Sequence, residues 1–162
     1  SSSLYIYRFG SIFNAYRLIG YPGGSRNVAW NVRFSMRTVR SKIIDEMRLR
    51  LQSQGLDIQS NPTVTNLMIS NGIACTFGVS KPYEVSSGRR WIFRCHTKFH
   101  LPFHLYGRLD VDEQTVFDYY LVPRSALDLM PLRMKLRNAP EVEDFHAASL
   151  NIALKRLVRS VV

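Results

Sequence analysis

The sequence predicts an α+β fold, and three changes of rhythm along the chain predict it. Apolar residues recur at helical spacing near the start, alternate with polar ones from Gly72 onward, and return to helical spacing from Leu150. Helices, then a sheet, then a helix, without internal repeats, is the order of an α+β domain and not of alternating βαβ units.

Each element has a local reason. Phe9, Ile12, Phe13, Tyr16 and Ile19 define a first amphipathic helix, which Gly20 and then Pro22-Gly23-Gly24 stop. Residues 28–40 are open to two readings, because Val28, Trp30, Val32 and Phe34 alternate as in a strand while Arg33, Arg37 and Arg40 fall along one side of a helix. Ser41 is the expected N-cap of a helix carrying Ile43, Ile44, Met47 and Leu51. Asp45 and Glu46 lie near its positive end, Arg48 and Arg50 follow, and Gly55 terminates it. Ile73, Cys75, Phe77 and Val79 then alternate with small or polar residues, and Trp91, Phe93 and Cys95 repeat the pattern after Ser86-Ser87-Gly88, which predicts a hairpin. Strands near Phe103–Val111 and Thr115–Val122 flank the turn Asp112-Glu113-Gln114, and Pro123 closes the run. The expected sheet is an antiparallel meander of about four strands, with a further strand around Leu132–Leu136. Leu150, Ala153, Leu154, Leu157, Val158 and Val161 form the apolar stripe of a C-terminal helix, opposite Lys155, Arg156 and Arg159. The organisation expected is a basic helical lobe over 1–60 and a sheet with its helix over 61–162, packed as one compact unit.

The chain's 162 residues are 46% apolar and 21% charged. No apolar run approaches the ~18–20 residues of a membrane span, so a membrane-spanning helix and wholesale disorder are excluded and no membrane partner is expected. Net charge is +10, and it is unevenly spread. Residues 1–60 carry nine basic and three acidic groups; residues 61–108 carry six and one; residues 109–162 carry seven and eight. Arginine outnumbers lysine by 17 to 5, and the guanidinium fork suits bidentate phosphate contacts. A basic surface of this kind is the footprint of a nucleic-acid binder. The residues expected to carry it are Arg8, Arg17, Arg33, Arg37, Arg40, Lys42, Arg48, Arg50, Arg89, Arg90 and Arg94. Two cysteines and no signal-like start lead to the expectation of a reducing, cytoplasmic and nucleoid-associated setting.

Candidate chemistry is sparse. Cys95, His96, His100 and His104 are zinc-type donors, but neighbours on a strand point to opposite faces and Pro102 prevents a helix that would align the histidines. No metal site and no cofactor are expected. Asp110, Asp112, Glu113 and Asp118 form the carboxylate cluster a Mg²⁺-dependent nuclease would need, yet Asp112-Glu113 read first as a turn. No P-loop and no Gly-x-Ser-x-Gly is present, and Cys75 and Cys95 read as small core residues. No catalytic residue is therefore assigned.

Two resemblances bear on this. The segment Asn71–Ser80 resembles the central strand of the PD-(D/E)XK nuclease core, with Thr76 and Gly78 at the Glu-x-Lys positions and Asn66 where an aspartate is expected. Such a core without carboxylates would bind and not cut. The segment Tyr7-Arg8-Phe9-Gly10-Ser11, continuing through Ala15-Tyr16 to Leu18-Ile19-Gly20-Tyr21, resembles a block downstream of the catalytic domain in bacterial serine site-specific recombinases of the resolvase/invertase family. Gly88-x-Arg90-Trp91, Arg108-Leu109-Asp110, Asp118 to Pro123, Asp144-Phe145-His146 and Ser149-Leu150 are similar to later blocks of the same region. This resemblance implies a non-catalytic DNA-binding module of a recombinase or mobile element, with DNA as partner. Two other readings stand beside it: a Mg²⁺-dependent nuclease using Asp110, Asp112 and Asp118, and an oligomerisation module, a homo-oligomer formed through the Leu150–Val161 helix.

Overall fold

The structure is a computed structural model. It describes residues 7–9, 15, 16, 18–20, 25–60, 66–70, 72–93, 101–131 and 133–160, with 25–35 and Ser60 described by their backbone alone. The chain divides into two compact units, 1–38 and 39–162.

In the first unit, residues 7–9, 15, 16 and 18 are helical and Gly20 has a φ of +67°, as expected of a helix stopped by glycine. Residues 28–40 are helical, and so is everything around them: α1 runs unbroken over Ser25–Gln52. Ser41 is thus in mid-helix, a correction to its expected role as N-cap. The reason is visible in the packing of the second unit, where Val39, Ile43, Met47 and Leu51 are all buried at steps of four, with Ile44 beside them. That stripe begins before Ser41, and a continuous helix keeps all of it on one face. Gly55, at φ +75°, ends the helix, and Leu56 N–H donates to the Leu51 carbonyl at 3.0 Å.

Among the described residues nine strands follow in two sheets, where about four were expected. The larger sheet has the order β1 (Ile58–Ser60), β2 (Asn66–Ile69), β3 (Ala74–Ser80), β6 (Phe103–Leu109), β7 (Val116–Pro123), β9 (His146–Ala147). The smaller has the order β4 (Pro82–Val85), β5 (Gly88–Ile92), β8 (Arg133–Lys135). The α+β class is as the sequence predicts, but the simple meander is not. β3 does not form a hairpin with the Trp91 strand; it pairs in parallel with β6. A parallel pair needs a crossover of a dozen or more residues, and residues 81–102 supply it, turning aside to make the β4–β5 hairpin around Gly88 at φ +98°. The alternation of β3 and β5 was read correctly as strand, but alternation does not name the neighbour. The strand expected around Leu132–Leu136 is β8.

Register places side chains in rows across the larger sheet. One row is Asn66, Thr76, His104 and Val122; the next is Gly78, Tyr106, Tyr120 and His146; a third is Ser80, Arg108 and Asp118. This face meets the smaller sheet in a core of Trp91, Phe93, Tyr106, Tyr120, Val122 and Met134, with Ala126 and Met130 from the 3₁₀ turn Arg124–Leu129 and Val142 from the short helix α2 (Pro140–Glu143). On the opposite face, α3 (Leu150–Arg159) lies against β7. Ser149 caps it, accepting from Ile152 N–H, and Leu150, Ala153, Leu154 and Leu157 are buried. These four residues of the expected apolar stripe are packed within the chain, and Val161 lies outside the described residues.

Candidate nucleic-acid interface

The sequence-predicted cations fall in different settings once placed. Arg17 and Arg94 lie outside the described residues, and Arg33 is described by its backbone only. Arg48 pairs with Asp45 at 3.0 Å, and Arg50 pairs with Glu46 and also contacts the Asn151 side chain. Arg89 sits between Glu84 at 3.0 Å and Asp110 at 3.7 Å. Arg40 is half-buried, and burial lowers its pKa. Arg8, Arg37 and Lys42 are exposed. Arg90 is held in place by hydrogen bonds to the Ser87 carbonyl at 3.1 Å, the Ser87 hydroxyl at 2.9 Å and the Arg89 carbonyl at 2.9 Å. Among the described residues no carboxylate lies within 4.0 Å of Lys42 or Arg90.

The acidic residues are disposed differently. Asp112 accepts from Gln114 N–H at 2.8 Å, Thr115 N–H at 2.9 Å and the Thr115 hydroxyl at 2.7 Å. The backbone donors of Thr115 and Gln114 hold its carboxyl below the ordinary value. Asp110 accepts from Val111 N–H at 2.7 Å and starts the same turn. Asp118 is buried opposite Arg108, whose Nε donates to it at 2.7 Å and whose Nη2 donates to its other oxygen, while His146 Nε2 lies 3.0 Å away. Burial works against the charge on Arg108, but the hydrogen bond and field of Asp118 prevail and raise its pKa. The three carboxylates of the nuclease reading thus serve a turn and a buried ion pair. Among the described residues no cluster of three His, Cys, Asp or Glu could hold a metal ion.

The positions likened to a nuclease core lie on the sheet face described above. Thr76 and Gly78 are on the central strand β3, and Asn66 is opposite Thr76 on β2. Thr76 Oγ1 and His104 Nδ1 are 2.7 Å apart and buried. Asn66 Oδ1 is buried without a hydrogen-bond partner among the described residues. His104 is thereby placed in the sheet core; Cys95, His96 and His100 lie outside the described residues.

Two features were missed by sequence reasoning. Arg108 was counted as charge and as part of a resemblance block, yet it is a core residue, lying 4.6 Å from the Trp91 ring centroid and 5.0 Å from that of Tyr120. Its alternation in phase with His104 and Tyr106 was the available signal. Arg133 and Lys135 were overlooked because residues 109–162 carry no net excess of cations. Their alternation about Met134, which is fully buried, marks them as outward-facing neighbours.

No family model matches the chain, and no curated protein matches it. The chain is similar in structure to a bacterial homing endonuclease, I-Ssp6803I, at 13% identity and a TM-score of 0.43, over 74% of this chain and 93% of that one. The recombinase resemblance accordingly rests on its sequence blocks alone. Among the described residues no helix is long and apolar enough to cross a membrane.

Proposed function

We propose that this chain binds DNA through exposed guanidinium and ammonium groups, on a scaffold that resembles a nuclease core but carries no metal-binding carboxylates at the corresponding positions. One observation carries the reading. Asp45, Glu46, Glu84, Asp110, Glu113 and Asp118 each stand within 4.0 Å of a cation, whereas Lys42 and Arg90 have no such partner among the described residues. The chain holds 22 basic against 12 acidic groups, so at least ten cations have no carboxylate of their own. Displayed cations release counterions from the phosphate backbone, so affinity falls with salt at a log–log slope of about −0.9 for each neutralised phosphate.

The test is an anisotropy titration of labelled duplex DNA between 50 and 200 mM salt, on the order of the range over which such binders lose most of their affinity. Steep weakening is expected. Absence of binding, or affinity indifferent to salt, overturns the proposal. A metal-dependent nuclease is the second reading, favoured by a helix leading into a sheet with a central β3. Magnesium-dependent plasmid nicking that disappears in Asp110→Asn would establish it in place of binding alone. Association with recombination is a finer reading, and a resolvase-type catalytic domain in the same reading frame would support it.

A further inference from the structure

β8 sits at the edge of the smaller sheet, and its register with β5 sets Lys135 opposite Arg90 and Arg133 opposite Ile92. Met134 and Trp91 form the intervening inward pair, fully buried, so Arg90, Lys135 and Arg133 share the outward face. Tyr83 on β4 is the next partner of Arg90 in the same row. Like charges directly opposite each other across two strands repel and destabilise the pair. Ser87 and Arg89 oxygens accept from Arg90, but among the described residues no carboxylate lies within 4.0 Å of Arg90, Arg133, Lys135 or Arg137.

The backbone beneath these cations is fixed. Arg108 donates to the Lys135 carbonyl and, at 3.3 and 3.4 Å, to that of Leu136. Asn138 Oδ1 accepts from Lys135 N–H at 2.8 Å, and its Nδ2 donates to Tyr120 Oη at 3.1 Å and Glu143 Oε1 at 3.0 Å. Beside the strand lies an open cleft of about 420 Å³, with Leu129, Pro131, Arg133, Lys135, Arg137 and Asn138 among its walls. A rigid edge that presents convergent cations over an open cleft has the features of a preformed anion site.

We propose that the β8 edge is a phosphate-binding site, formed by Arg133, Lys135 and Arg137 with Arg90 alongside, and that the phosphates it takes are those of a nucleic-acid backbone. The inference deepens the DNA-binding reading and rests on it for the source of the phosphate. Arg133, Lys135 and Arg137 lie in the part of the chain where charge counting expected no binding surface.

The test compares the full chain with Arg133→Ala/Lys135→Ala/Arg137→Ala and with a control of equal charge loss, Arg124→Ala/Lys155→Ala/Arg159→Ala. All six positions are exposed, so both variants should keep the parent's circular dichroism and melting temperature. Against labelled duplex DNA, the β8 variant should bind at least about tenfold more weakly, with a salt slope shallower by about two to three, and the control should lose much less. Equal losses in the two variants, or none in the β8 variant, overturn the site while leaving DNA binding intact. Inorganic phosphate is the second arm, followed through the arginine Nε–H resonances in NMR. If the chain binds no DNA but phosphate moves the Arg133 and Arg137 signals, the site stands, free phosphate is its source, and the DNA-binding reading falls. If neither ligand acts, both fall. Equal competition by poly-glutamate and by DNA would overturn phosphate as the ligand and point to an acidic protein.

Discussion

Arg108 shows how far a side chain's role departs from its charge. Its guanidinium, fully buried, bridges Asp118, the carbonyls of Lys135 and Leu136 and the rings of Trp91 and Tyr120. Removing one member of a buried ion pair leaves the other charge uncompensated, at a cost of about 3–5 kcal/mol. Arg108→Met is expected to lower stability by that amount in urea denaturation. Arg108→Met/Asp118→Leu should recover most of the loss, since no isolated charge then remains. Recovery no better than the single variant would show that the carbonyl contacts on β8 dominate. Several blocks that resemble the recombinase region converge here: Trp91 Nε1 donates to the Leu109 carbonyl at 2.8 Å, and Arg108, Asp118 and His146 form one chain of contacts. In this fold those residues hold two sheets together, whatever the surface does.

At the scale of elements, the two long helices α1 and α3 were legible to different degrees. For α3, Ser149 at the N-cap and Leu150, Ala153, Leu154 and Leu157 along one face specify start, phase and burial locally. Ser149→Ala should cost about 1 kcal/mol through loss of the cap to Ile152 N–H, read as a lower urea midpoint with an unchanged slope. For α1, Val28, Trp30, Val32 and Phe34 alternate at period two inside a continuous helix. Helix continuity there overrides a local pattern that a strand would share. The strands show the reverse limitation. β3, β5, β6, β7 and β8 were expected from the sequence and β1, β2, β4 and β9 were not, and whether β3 pairs with β5 or β6 depends on contacts about thirty residues apart, which period two does not encode.

Over the whole molecule, the larger sheet is covered on both faces, and its ionisable residues report this. Burial pushes the Cys75 thiol up to about 12 from 9.0 and the Tyr119 hydroxyl up to about 12 from 10.0, and it also raises Tyr120. Each group stays protonated in the folded chain at pH values where the unfolded chain has ionised it. Their contribution to stability is therefore complete below pH 9 and is lost as the pH climbs toward 12. Urea midpoints should accordingly fall between pH 9 and 12, and Cys75→Val should delay the onset toward the ordinary tyrosine value of 10.0. A midpoint that is flat across this range would contradict the burial described for β3 and β7.

The candidate interface was partly legible for similar reasons. Counting charge along the chain found Lys42 and Arg90, but it also selected Arg48, Arg50 and Arg89, which carboxylates engage, and it passed over Arg133, Lys135 and Arg137. The sequence by itself determined the α+β class, the amphipathic C-terminal helix, the turn at Asp112 and the surplus of cations, because each depends on composition or on residues a few positions apart. Only the tertiary structure decided which strands are neighbours, which arginines remain uncompensated, and that Arg90 and Lys135 stand side by side. Those outcomes depend on which distant segments share a sheet face, and that is settled by the burial of Trp91, Tyr120 and Met134 together.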